Sequence, residues 1–361
     1  MTFIDLNIRA LRVRTVIVPM PTPHLTAGGR IDSSPLVLTD VVTNEGVVGQ
    51  SMVFTYTPLA LQPVATLVRN LGELIQGKPV RPQEIERTLQ QKFRLLGPQG
   101  LNSIAMAAID MALWDALAMA ADCSLAELLG AAPRFLPVYG GIGYDGVDGS
   151  ARSASAWAEK GFKAVKAKIG YPSVKEDIAV VRAIRQATGN AVDVMVDYNQ
   201  SLSVGEALLR CRVLDEEGLL WIEEPTRAHD HRGHASISRE IRTPIQAGEN
   251  WWGPHELVDA IDACAVDNVM PDVMKIGGVS GWMRSAAIAD AHGLRVSNHL
   301  FPEISAQLLT ATPTAYMLEY ADWWNPVLEQ PLTVSDGVLD IRGVKGTGVR
   351  WNERMVEKYI V

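Results

Sequence analysis

Cysteine is scarce in this chain: three residues in 361, at Cys123, Cys211 and Cys264. They are too few and too scattered for a disulfide framework or a paired-cysteine metal site, and read as reduced core thiols. Basic charge is also short, with 33 Lys and Arg against 41 Asp and Glu, a formal net charge of −8. A protein that grips the phosphate backbone should be basic, so nucleic acid is not an expected partner. Long hydrophobic runs are missing from the linear reading as well. The first twenty residues mix charges among apolar side chains, unlike a secretory leader. No window reads as the roughly 18 consecutive apolar residues that span a bilayer. The expectation is a cytoplasmic protein with no membrane partner. What remains is globular in composition, 47% hydrophobic and 20% charged. The length suits two domains, or one large barrel with an appendage, at roughly 150 residues per domain.

Two textures divide the sequence. Residues 1–130 read as an α+β domain. Segments 6–19 and 35–43 carry β-branched alternation, Asn44-Glu45-Gly46 signals a hairpin, and helical spacing follows over 59–77, 83–91 and 101–130. Between the first two strands lies a stretch rich in Pro, Gly and Ser, residues 20–33, of a length usual for a lid loop or a disordered segment. From about 135, short apolar runs alternate with helical stretches about eight times. That rhythm implies parallel strands with right-handed crossovers and fits a closed barrel better than an open sheet. The barrel is expected over 131–325. Residues 326–361 carry no further strand–helix unit and are expected to pack back on the first domain.

Ionisable residues recur at the strand ends of this second part: Lys166 and Lys168, Asp197, Glu223 with Glu224, Glu249, Asp272, His299 and Glu319. In a barrel these ends converge on one mouth, where active sites lie. Asp197, Glu223 and Glu249 offer hard oxygen ligands from three neighbouring strands, which suits Mg²⁺. Zinc would ask for Cys or several His. Lys166 and Lys168 share a strand face, and two adjacent ammonium groups depress each other's pKa, which makes a general base. Asp272 can orient His299 as a second base. Two bases beside one metal-bound substrate can take a proton from one face of a carbon and return it to the other. Glu319, if protonated by a crowded anionic site, could donate a hydrogen bond to the resulting enediolate. His229, His231 and His234 could in principle bind a transition metal but read as structural; Trp251 and Trp252 suit either a core or an interface.

The stretches AVKAKIGYP (164–172), VDYNQSL (196–202), WIEEPT (221–226), GENWWGP (248–254), MPDVMKIGGVSGW (270–282) and HLFPEISAQLLTATPTA (299–315) resemble the enolase superfamily, and within it the mandelate racemase family. The resemblance runs nearly end to end. It implies an α+β capping domain, with residues 20–33 as a lid loop, over a (β/α)7β TIM-like barrel, and Mg²⁺ held by Asp197, Glu223 and Glu249. Lys168 is implied as the base facing one enantiomer, and His299, paired with Asp272, as the base facing the other. Lys166 would contact the substrate carboxylate, Glu319 would donate a hydrogen bond to it, and Asn199 would sit near the α-hydroxyl. Two positions depart from the family: Gly141 stands where racemases place a serine, and His24 where they use a small aliphatic residue. Ile31, Phe54, Tyr56 and Leu300 are expected to complete an apolar wall. The resemblance implies a racemase of a 2-hydroxy acid such as mandelate, in a homo-oligomer (an octamer or a dimer), acting on a small-molecule carboxylate. An aldonate or aldarate dehydratase is the alternative.

Overall fold

The computed structural model describes residues 5–26 and 29–361. Residues 1–4, at the start of the segment that reads unlike a leader, and Ala27 and Gly28, within the expected lid, lie outside that description. Three antiparallel strands begin the fold, β1 (Ile8–Thr26), β2 (Gly29–Thr43) and β3 (Val48–Phe54). The expected lid loop is instead the far end of the long β1–β2 hairpin, where His24 pairs with Ile31 and Leu25 with Arg30. Its prolines, which cannot donate to a ladder, fall within or at the edge of the register break between Pro19 and His24. The hairpin is fastened to the barrel by the Tyr144 N–H, which donates to the Leu25 carbonyl at 2.8 Å. A Cβ at Gly143 would come within 3.1 Å of that backbone, so the close approach depends on glycine.

Three helices follow: α1 (Pro58–Ile75), opened by the Thr57 side chain capping Leu59, and α3 (Leu101–Ala120) pack on this sheet, and α2 (Pro82–Lys92) packs on α3. By length and mean hydropathy (1.5), α3 could cross a membrane, which the linear reading did not anticipate; 78% of its most apolar window is buried inside the protein. It packs on β3 so closely that a Cβ at Gly49 would sit 2.0 Å from the Ala112 carbonyl oxygen. A short α4 (Leu125–Leu128), closed by a Ser124–Glu127 capping box, leads to the barrel.

Eight short strands alternate with helices from there. In chain order they are β4 (Phe135–Ile142), α5 (Gly146–Glu159), β5 (Ala164–Lys168), α6 (Val174–Thr188), β6 (Asp193–Asp197), α7 (Val204–Leu214), β7 (Ile222–Glu223) and α8 (His231–Ser238). Then come β8 (Ile245–Ala247), α9 (Pro254–Asp262), β9 (Asn268–Val269), α10 (Gly278–Ala291), β10 (Arg295–Val296), α11 (Pro302–Thr310) and β11 (Leu318–Tyr320). Strands β4 to β10 pair in sequence and in parallel, and β11 returns to pair with β4. The ring closes where Val296 bridges Ala315, just ahead of β11.

Side-chain alternation sorts the barrel into layers. Val165 and Ala167 of β5, with Val194 and Val196 of β6, pack outward among the helices. On the opposite face Tyr139, Ala164, Met195, Trp221 and Met317 form an apolar plug in the barrel interior. Two residues further along the same strand faces come Lys166, Asp197 and Glu223, so the charged layer rests on this plug.

The C-terminal segment divides its contacts. Strands β12 (Val334–Ser335) and β13 (Val338–Asp340) form a hairpin laid antiparallel on β4, so part of it extends the barrel sheet. The remainder, including α12 (Glu353–Tyr359), returns to the first domain. There the buried Asp115 accepts from Gln50 N, Thr347 N and Oγ1, and Arg350, all within 2.9 Å.

Candidate active site

The strand-end residues meet in one place. Asp197, Glu223 and Glu249, all buried, bring one carboxylate oxygen each to within 4.8 Å of the others. Their strands, β6, β7 and β8, are neighbours in the ring, and Glu249 follows β8 by two residues. Lys166 Nζ donates to Glu223 Oε1 at 2.5 Å and pairs with Glu319 Oε1 at 2.8 Å; Asp197 Oδ2 is 3.9 Å away. Lys168 Nζ lies 2.5 Å from Asp197 Oδ2. Asn199 binds the same carboxylate through its backbone N–H at 2.6 Å and its side-chain amide at 3.1 Å. Across the cluster, His299 Nδ1 lies 2.7 Å from Asp272 Oδ2, and its Nε2 lies 3.4 Å from Glu249 Oε2.

The fit to a hard divalent cation is physical. Burial raises the pKa of Glu223 and of Glu224 well above the carboxylate range, Lys166 opposing it for Glu223, and neighbouring carboxylates push the same way. Such crowding marks a site in want of positive charge. Glu249 Oε2 is buried without a hydrogen-bond partner, an oxygen free to bind metal. Three carboxylate oxygens with no Cys and one His nearby are a Mg²⁺ donor set. Glu224, next to Glu223 in sequence, turns away to accept two bonds from Asn250 Nδ2, at 3.0 and 2.9 Å.

Three sequence-based expectations need correction here. Neither lysine ends with a depressed pKa, although Lys166 does push Lys168 down. Burial opposes their charge, but Glu223 and Glu319 beside Lys166, and Asp197 beside Lys168, outweigh it and lift both pKa values. Glu319 is not a protonated donor: burial pushes it up, but Lys166 and His299 prevail and lower it, and its Oε2 accepts from Leu300 N at 2.9 Å. The apolar wall is also composed differently. His24, Gly141 and Leu300 do line the cavity over Lys166, Lys168 and His299, together with Trp157 and Trp323, which the linear reading missed. Ile31, Phe54 and Tyr56 are not among its lining residues. Phe54 is buried behind Trp323, with ring centroids 5.9 Å apart, and Tyr56 lies against Phe54 at 4.6 Å, its ring tilted by 47°. Trp323 follows β11 by three residues, and no periodic signal marks it in sequence.

The remaining electrostatics suit proton transfer. Burial disfavours charge on His299, yet Glu249 and the Asp272 hydrogen bond outweigh it and raise its pKa. For Glu249, burial is overcome by His299 and the lysines, which bring its pKa down to about 2. A further cationic residue, absent from the linear reading, is Lys275, which donates to Asn250 Oδ1 at 2.7 Å and so backs the Asn250–Glu224 contact. The three clustered histidines lie apart from this chemistry: His234 Nδ1 faces the Asp230 carbonyl at 3.1 Å, and His231 packs edge-on to the buried Trp251.

Ionisable groups crowning a closed barrel, under a capping domain whose hairpin reaches over them, define an enolase-type architecture. Residues 9–130 match the model for the mandelate racemase / muconate lactonizing enzyme N-terminal domain, and residues 149–355 that for the enolase C-terminal domain-like family. The chain belongs to the mandelate racemase / muconate lactonizing enzyme family of the enolase superfamily. It is 33% identical to L-talarate/galactarate dehydratase of Salmonella typhimurium, over 96% of this chain and 90% of that one. It is 30% identical to D-galactarolactone cycloisomerase of Agrobacterium fabrum, over 98% and 99%. Among solved structures, an enolase from Bradyrhizobium complexed with magnesium and mandelic acid matches with a TM-score of 0.95 and 42% identity, each chain covered in full (100%). The Salmonella dehydratase, liganded with Mg and L-lyxarohydroxamate, matches with a TM-score of 0.93 and 26% identity, over 99% and 93%. The protein is a Mg²⁺-dependent enzyme of this superfamily.

Proposed function

We propose that this enzyme racemises a 2-hydroxy acid with an aryl side chain by two-base exchange of the α-proton. The observation that carries the reading is the placement of Lys168 and His299. They come from strands β5 and β10, on either side of the three strands that bear Asp197, Glu223 and Glu249, and both face that carboxylate cluster. Bound Mg²⁺ supplies positive charge at the three carboxylates, which makes an α-proton beside a carboxylate acidic enough to remove. A cation held by Asp197, Glu223 and Glu249 would weaken the pull of Asp197 on the Lys168 ammonium, which would let Lys168 serve as a base. Lys168 takes the proton of one enantiomer while protonated His299 delivers one to the opposite face, and the two exchange roles for the other enantiomer. Asp272 fixes the His299 tautomer, Lys166 holds the substrate carboxylate, and Glu319 holds Lys166 in place. Leu300, Trp157 and Trp323 give the side chain an apolar, aromatic surround.

A second reading, dehydration of an acid sugar, is favoured by the 33% identity to the talarate/galactarate enzyme. The deciding experiment is proton NMR in D₂O with Mg²⁺, both enantiomers of mandelate and a panel of aldonic and aldaric acids, with EDTA controls. Exchange into the opposite configuration, lost on chelation, supports racemisation. A 2-keto product from a sugar acid moves the assignment to dehydratase.

A further inference from the structure

We propose that His24 is a specificity-determining residue that hydrogen-bonds a hydroxyl on the substrate's side chain, so that the enzyme selects a ring-hydroxylated aryl 2-hydroxy acid over the unsubstituted one. The inference rests on the racemase reading and names its substrate class. His24 sits near the tip of the β1–β2 hairpin, and the Tyr144–Leu25 bond at the next residue fixes the tip on the barrel. Its ring lies 5.0 Å from that of Trp323, tilted at 46°, over the same cavity as Lys166, Lys168 and His299.

Neither ring nitrogen of His24 has a hydrogen-bond partner among the described residues. The other polar groups nearby are mostly committed. Trp157 Nε1 donates to the Gly141 carbonyl at 2.9 Å, and the Tyr320 hydroxyl donates to the Leu332 carbonyl at 3.1 Å. Asp322 adds a carboxylate to the lining, and the remaining wall there is Gly141, Ile142, Leu300, Ala321 and Trp323. Burial, aided by the charge of Lys168, brings the His24 pKa down to about 4, so at neutral pH the ring offers one donor and one acceptor. An unsubstituted phenyl group filling this wall would strip water from both nitrogens and return nothing. A hydroxyl would replace that water. Sites built to bond a substrate hydroxyl discriminate strongly against analogues lacking it, because the buried polar group is left unpaired.

The test compares mandelate with its 2-, 3- and 4-hydroxy derivatives in the Mg²⁺-loaded enzyme. Dissociation constants come from calorimetry and kcat/KM from α-proton exchange. One hydroxylated isomer is expected to bind about tenfold or more tighter than mandelate and to show a matching kcat/KM ratio. In His24→Val the ratio should collapse to near one, whereas His24→Gln, which keeps a donor and an acceptor, should restore part of it. A parent ratio near one for every isomer, or a ratio that survives His24→Val, overturns the proposal. Absence of exchange with all four acids overturns the racemase reading, and the binding ratio still tests His24 separately.

Discussion

Replacing Asp272 with Asn should silence one of the two bases and spare the other. Asp272 Oδ2 lies against His299 Nδ1 at 2.7 Å, while Oδ1 accepts from the backbone N–H groups of Met274 at 2.7 Å and Lys275 at 3.3 Å. An asparagine keeps its carbonyl oxygen on those two donors. The inverted amide would set NH₂ against the Met274 N–H, left unsatisfied at a cost of about 1–3 kcal/mol, while the Lys275 N–H keeps the Asp272 backbone carbonyl at 3.1 Å. The amide NH₂ therefore faces Nδ1, which must accept, and the ring proton moves to Nε2, the nitrogen on the side of Glu249. Nε2 then lacks the lone pair that a base needs. Recovering it requires the inverted amide, and at about 1.36 kcal/mol per factor of ten the expected loss is roughly 10–10²-fold. The assay is solvent deuterium exchange measured separately for (R)- and (S)-mandelate, or for the hydroxylated analogue if that is preferred. Exchange without inversion should persist for the enantiomer handled by Lys168, while exchange of the other and net racemisation fall together. Equal loss of both exchanges with Mg²⁺ affinity intact, or no loss at all, would refute the reasoning.

Two further expectations concern Glu303 and Gly141. Glu303 is buried on α11 with Oε1 unpaired and Oε2 accepting from Trp324, and burial raises its pKa to about 7. A carboxyl raised in the folded state is protonated there while it ionises in the unfolded chain, so stability falls as pH rises from about 4.5 to about 7 and is then constant. Glu303→Gln should therefore gain thermal stability relative to the parent between pH 5 and pH 8, by a few kcal/mol at about 1.36 kcal/mol per pKa unit; a pH-independent difference in scanning calorimetry would contradict this. Gly141 has an ordinary negative φ, and a Cβ there would meet nothing within 4 Å. Gly141→Ser should fold normally and, by adding a donor beside the substrate carboxylate, raise kcat/KM about tenfold, with a melting temperature that drops by several degrees counting against it.

The barrel was legible because eight alternations of short apolar run and helix leave few ways to connect parallel strands. The charged residues at the strand ends stood out against their Val, Ile and Leu neighbours. Residues 20–33 read as a loop because local composition reports their prolines and glycines, but not the partner strand that a hairpin supplies. The hydrophobicity of α3 was likewise visible only as scattered Ala, Met and Leu until the sheet and barrel enclosed it.

By itself the sequence determined which side chains share a strand face, since a period of two places Lys166 with Lys168, and Val165 with Ala167, whatever the rest of the chain does. It also determined the donor chemistry of the metal site, because Asp197, Glu223 and Glu249 are oxygen ligands in any fold. The protonation of those groups was decided only by tertiary structure. Two adjacent lysines would lower each other in isolation, but the carboxylates of Glu223, Glu319 and Asp197 arrive from other strands at 2.5–2.8 Å and reverse the sign. Tertiary structure likewise brought Trp323 to the cavity and buried Phe54 behind it. Coulomb energy and side-chain packing depend on distances across the barrel, and residue spacing along the chain does not contain them.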